Sequence, residues 1–123
     1  MTRSELTNLF IRKTELFNSE QLLASLKESY SVATESGFPE NLERNIFELE
    51  QKIARERAAI VRDRETALQT LKLIEDDAGR VGAMLHYLEG MPWDVAAALL
   101  RYISGNALRA AAYRGMNAAK IAK

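Results

Sequence analysis

Apolar residues recur along this chain at helical spacing, and the pattern changes character near residue 75. Between Arg3 and Ser36, Leu9, Leu16, Leu23 and Tyr30 fall seven apart, with Phe10, Phe17 and Ala24 beside them. From Pro39 to Glu75 the same repeat runs through Ile46, Ile53, Ile60, Ala67 and Ile74, flanked by Phe47, Ala54, Val61 and Leu68. A seven-residue apolar repeat keeps one helix face against a partner helix. Two such segments with a short connection predict a long antiparallel helical hairpin, a coiled-coil-like arm. Gly37 reads as a helix C-terminal cap and "GFPEN" as the turn. Asn18 and Ser19 are capping residue types, so any break in the first helix belongs there.

The seam is not purely apolar. Glu56 and Asp63 fall where it would be completed, which tilts the stripe to one side and leaves room for a third helix or a second chain. The expectation is a homodimer through Ile46, Ile53, Ile60 and Ile74.

After residue 75 the helices shorten. Asp76 or Asp77 can cap a helix with Val81, Met84, Leu85 and Leu88 on one face, ending at Gly90. Pro92 suits the start of the next, with Trp93, Val95, Ala96 and Leu99 apolar. Ser104 reads as the cap of a last helix with Leu108, Ala111, Ala112 and Met116 facing inward. Three short helices are the minimal unit of a helix-turn-helix. The predicted fold is all-α, with residues 1–75 as the hairpin or oligomerisation arm and 76–123 as the helix-turn-helix.

Charge sharpens this picture. The 123 residues carry 17 basic and 17 acidic groups, so nucleic acid is not bound by the whole surface. Yet every charge after Asp94 is positive: Arg101, Arg109, Arg114, Lys120 and Lys123. Ser104, Asn106 and Arg109 lie at the start of the last helix, where a recognition helix reaches base edges. Asn and Arg suit bidentate contacts with adenine and guanine, and cations suit phosphates. The alternative is that Ser104 only caps and the arginines form a solvated face.

The stretches "LHYLEGMPWDVAAALL" and "ISGNALRAAAYRGM" resemble region 4 of sigma factors, and more closely phage-encoded regulators of the ArpU and RinA type. The resemblance covers roughly Pro39 to Ile121. It implies a helix-turn-helix transcriptional regulator in which Ser104, Asn106, Arg109, Ala110 and Tyr113 face DNA, while Leu108, Ala112 and Met116 pack inward. Arg101, Arg114 and Lys120 join the expected DNA-binding set as cations. Two departures stand out. "VAAALLRYIS" is about two residues longer than the family spacing, and no glycine marks the turn.

Other chemistry is sparse. Cysteine is absent, which excludes disulfides and Cys-based zinc sites, and His86 is the one histidine. It reads as an exposed structural residue. Glu75, Asp76 and Asp77 read as caps, and "RERAAIVRDRE" as a solvated helix face. No catalytic constellation, cofactor motif, metal site, signal or membrane-length apolar run is visible, so the expectation is a cytoplasmic, non-enzymatic protein. Three functions fit. The first is a phage or prophage DNA-binding regulator with double-stranded DNA as partner. The second is a helical interaction protein, such as a phage inhibitor bound to a host protein. The third is a small terminase subunit, whose usual order places the DNA-binding module first.

Overall fold

The computed structural model describes residues 1–34 and 40–123. The Gly37 cap, the "GFPEN" turn and the Pro39 helix start fall largely outside them. Among the described residues 82% are helical and none is in a strand. Helix α1 spans Arg3–Thr34, α2 Glu40–Leu71, α3 Asp77–Ala83, α4 Trp93–Leu99 and α5 Gly105–Ala118; a π-helical turn, Met84–Leu88, continues α3.

Helices α1 and α2 lie side by side in opposite directions. Three ion pairs along their length set the register: Arg12 with Asp63 at 2.5 Å, Glu20 with Arg57 at 3.2 Å and Lys27 with Glu50 at 3.8 Å. α1 runs unbroken through Asn18 and Ser19. The seam position Asp63 is tolerated because Arg12 reaches across to it. Both groups are partly exposed, so the pair contributes little stability and mainly keeps a carboxylate from being stranded at the seam.

The expected dimer residues have another role. Ile53, Ile60 and Ile74 are buried within the single chain and Ile46 is half-buried. Ile53, Ile60 and Ile74 are turned into the chain's own packing and present no free surface to a second copy, whereas Ile46 keeps part of its surface.

The main core crosses the boundary at residue 75. It joins Leu6 and Leu9 of α1, Ile60, Ala67 and Leu71 of α2, and Ile74 to Tyr87, Leu88, Ala112, Met116 and Ile121. Each large aliphatic side chain so buried contributes roughly 1.5–3 kcal/mol. The base of the arm and the C-terminal helices therefore stabilise each other. The two ends of the chain also meet: the first amides of α1, which have no partner within the helix, donate to Ala122 O (from Arg3, 2.7 Å) and Lys123 O (from Ser4, 3.2 Å).

α3 and α5 pack unusually close through glycine. A Cβ on Gly79 would stand 2.8 Å from the Ala111 carbonyl, and one on Gly82 2.6 Å from Leu108 Cδ1. The absence of those Cβ atoms lets the backbones approach. Leu108, Ala111, Ala112 and Met116 all point inward along α5.

The inward face of this segment is Gly79, Gly82, Ala83 and His86 at helical spacing, and the π turn adds Tyr87 and Leu88 to it. Glu89 N–H donates to Met84 O at 3.3 Å, five residues back. The wider turn adds a residue to the helical repeat and rotates the following side chains. His86, Tyr87 and Leu88 go inward, while Val81 is exposed and Met84 and Leu85 are only half-buried. The expected inward face of Val81, Met84, Leu85 and Leu88 keeps Leu88 alone as a fully buried member.

Candidate nucleic-acid interface

Ser104 adopts an extended backbone and its Oγ accepts the Ala107 N–H at 3.1 Å, the geometry of an N-cap. The turn before it needs no glycine. Arg101 itself takes the left-handed conformation, φ +53°. Its N–H donates to Ala98 O at 3.2 Å and that of Tyr102 to Ala97 O at 2.8 Å. This pair of bonds is the Schellman closure of a helix, with arginine at the position glycine usually fills. Lys120 repeats the device after α5, with φ +59° and Ile121 N–H bonded to Met116 O at 2.9 Å. The segment between tryptophan and serine is thus folded by a cap that residue types alone do not announce.

The eight expected DNA contacts do not form one patch. Asn106, Arg109 and Ala110 are exposed on the first half of α5, beside Ser104. Arg114 is also exposed, but it lies about 140° around the helix from Arg109 at 100° per residue. There it borders a recess lined by Glu75 and Asp76, whose carboxylates oppose any phosphate at that edge. Arg101 belongs to the turn after α4, and Lys120 sits beyond the opposite end of α5. Tyr113 is half-buried: its ring meets Trp93 edge-on at 6.4 Å and the Arg3 guanidinium lies 4.5 Å over it. The resemblance turns Tyr113 toward DNA, whereas here its ring faces belong to the protein's own packing.

Asp94 is a further neighbour of the site. Its Oδ1 lies against Gly105 at the start of α5, and a Cβ on Gly105 would come within 2.8 Å of the Asp94 backbone nitrogen. A carboxylate at a helix N-terminus is favourable to the helix. It also puts one negative charge at the end of α5 where a phosphate would approach.

Behind the interface is an aromatic stack. His86 lies between Phe10 and Trp93, with centroids at 4.3 and 4.0 Å and planes within 18°. Its Nδ1 lies 2.6 Å from Met91 O and donates to it in the neutral tautomer. Burial pushes the His86 pKa below 6.5, with the Met91 bond opposing. His86 is therefore a buried stacking residue, not an exposed one. Burial, and then the neighbouring Tyr113, push the Tyr87 hydroxyl up to about 12. The Lys13 ammonium donates to Leu88 O at the end of the π turn, and Arg64 pairs with Glu89 at 2.8 Å. Together these contacts fix α4, and with it α5, on the base of the arm.

Among the described residues no group of three or more His, Asp or Glu is placed to hold a metal ion, and no helix is long and apolar enough to cross a membrane. Compared with protein-family models, curated proteins and solved structures, the chain matches none.

Sequence reasoning missed the packing glycines Gly79, Gly82, Gly105 and Gly115. A signal existed for two of them, since Gly79 and Gly82 are three apart and share a helix face. It also missed the aromatic sandwich, which joins residues from α1, the π turn and α4 and has no local pattern.

Proposed function

We propose that the chain is a DNA-binding transcriptional regulator of the phage or prophage kind that reads duplex DNA with the first half of α5. In this reading α3, α4 and α5 form the helix-turn-helix, and the protein performs no catalysis and needs no cofactor. One observation carries it. Exposed Asn106 and Arg109 flank the Ser104 cap, on a segment whose only charges after Asp94 are positive. Asn106 and Arg109 supply base contacts, and Arg101 supplies a phosphate contact from the turn. Arg114 and Lys120 are peripheral, at the edge and far end of α5. Titration of random and phage-derived duplexes at several salt concentrations tests this. The Arg101 phosphate contact gives a log–log salt slope of about −1, and Arg114 and Lys120 steepen it by about one unit each only if they reach the backbone. Absence of binding at low salt across the whole pool overturns the reading.

A second reading, a helical interaction protein that binds a host factor, is favoured by the outer side of α4. Val95 and Leu99 are 51% and 62% exposed there, and Ile103 in the turn beyond it is 93% exposed. A seven-residue helix whose one polar side chain is Asp94 is expected to be covered on more than one side. Co-purification of a protein that is lost on changing Leu99 and Ile103 to Ser, in a chain that binds no duplex, moves the assignment to this reading.

A further inference from the structure

One flank of the long arm carries an apolar groove that the chain fills at one end only. At the base, Phe10 of α1 and Leu68 of α2 pack against the main core, and the π turn covers Phe10 through His86. One heptad outward the equivalent positions are Phe17 and Val61, 60% and 68% exposed. The next heptad gives Ala24 and Ala54, both exposed, and beyond them lies Phe47, 62% exposed. The register set by Glu20–Arg57 and Lys27–Glu50 puts Phe17 level with Val61 and Ala24 level with Ala54. Both sides border the end of the π turn: Arg64 of α2 pairs with Glu89, and Phe17 lines a notch with Lys13, Glu89 and Gly90. The result is a strip of two rows of exposed apolar side chains roughly 20 Å long at 1.5 Å per residue, one on each helix, with the Glu20–Arg57 and Lys27–Glu50 ion pairs crossing between them, and continuous with a groove already used for packing.

We propose that this strip is the contact between two copies of the chain, with the arms antiparallel about a two-fold axis through the Ala24–Ala54 level. The order along the strip is bulky, small, bulky, and it is self-complementary about its middle. Val61 of one copy falls opposite Phe47 of the other, both on α2, Phe17 stands at the same level on α1, and the alanines allow the helices to approach closely. Such a pairing is isologous and closed. Charge fits the same axis. Glu43 lies on this side of α2, four residues before Phe47, and makes no ion pair among the described residues; Lys13 at the base bonds the Leu88 carbonyl oxygen. The two-fold brings each Glu43 to the level of the other copy's Lys13, which stands on the adjacent α1 in a notch shared with the Arg64-paired Glu89, whereas a parallel pairing sets both Glu43 at one level. This dimer uses none of the buried isoleucines and does not depend on the DNA reading.

Sedimentation of the full chain from about 1 to 100 µM, a range that spans weak dimers, tests the proposal. The expected result is a dimer that Phe17→Glu or Phe47→Glu weakens by about tenfold or more with helical content unchanged, since both side chains are exposed. The chain has no cysteine, so single cysteines report the axis. Ala24→Cys or Ala54→Cys should oxidise to a covalent dimer, and Ser25→Cys on the outer side of α1 should not. A monomer at every concentration overturns the proposal, as does a dimer indifferent to both Phe substitutions or cross-linked equally well from Ser25.

Discussion

Replacing Gly82 by alanine should destabilise the protein, against the usual direction for a glycine within a helix. In an open helix the change adds about 0.5–1 kcal/mol, because alanine loses less backbone freedom on folding. At position 82 the new Cβ would stand 2.6 Å from Leu108 Cδ1, 2.8 Å from Cγ and 3.1 Å from Cδ2. Leu108 has no exposed surface and packs with Ala96 and Ala97, so it has little room to turn away. Overpacking of this kind costs about 1–3 kcal/mol. The net expectation is a loss of about 1–2 kcal/mol in urea unfolding. A companion variant supplies the control. Leu108→Ala costs about 2–5 kcal/mol alone, but it removes the atoms that Cβ would meet. In that background Gly82→Ala should become neutral or stabilising, a change of sign worth roughly 2 kcal/mol of coupling. A Gly82→Ala protein more stable than the parent would refute the close approach of α3 and α5. Because that approach sets how α5 presents Asn106 and Arg109, the single variant should also bind duplex DNA more weakly if the DNA reading holds.

Three further outcomes are expected. On a preferred duplex, Arg109→Ala should cost about 1–3 kcal/mol through a lost bidentate contact, while Asp94→Asn should tighten binding by removing the carboxylate beside Gly105; unchanged affinity in both variants, measured by fluorescence anisotropy, would place DNA elsewhere. His86 should make stability fall with acid. Its folded pKa lies below 6.5, so stability is complete above 6.5 and declines as pH drops from there toward the folded value, where only the unfolded chain binds the proton readily. His86→Phe should flatten urea midpoints between pH 6.5 and 5, and an unaltered slope would show that other groups cause it. Ile53→Asp should lower helical ellipticity at 25 °C and the unfolding midpoint even in dilute monomer, since it buries a carboxylate without a partner at several kcal/mol; a folded variant that merely dissociates would return Ile53 to a subunit interface.

Much of the fold was legible in the chain because it rests on local periodicity. Helix α5 shows this best: the 108, 111, 112 and 116 spacing fixes its inward face whatever it packs on, and Ser104 caps it by chemistry within three residues. The heptads likewise announce two long helices with Leu9 and Ile60 inward. The same heptads leave open which partner covers each stripe. Ile53 looks equally suited to a second chain or to α1, and the answer depends on how α1 is positioned against it.

The candidate site was legible in its residue types and less so in its geometry. Ser104, Asn106 and Arg109 are neighbours in sequence on one helix and stay neighbours in space. Tyr113, Arg114 and Lys120 belong to the same helix or its end, but their surroundings come from elsewhere in the chain. Trp93 and Arg3 take the Tyr113 ring, Glu75 and Asp76 border Arg114, and a left-handed turn carries Lys120 beyond the helix. His86 goes into a ring stack instead of to the surface because it continues the buried face of Gly79, Gly82 and Ala83, a stripe of small residues that apolar periodicity does not announce. The sequence by itself determined which segments are helical, where several of them cap and which charges accumulate after Asp94, since all three follow from residues within a turn or two of each other. Only the tertiary structure decided that the isoleucine stripe is closed within one chain, that glycines draw α3 onto α5, and that the Phe17–Phe47 flank remains open. Those outcomes depend on contacts between residues far apart in the chain, whose distances no local pattern contains.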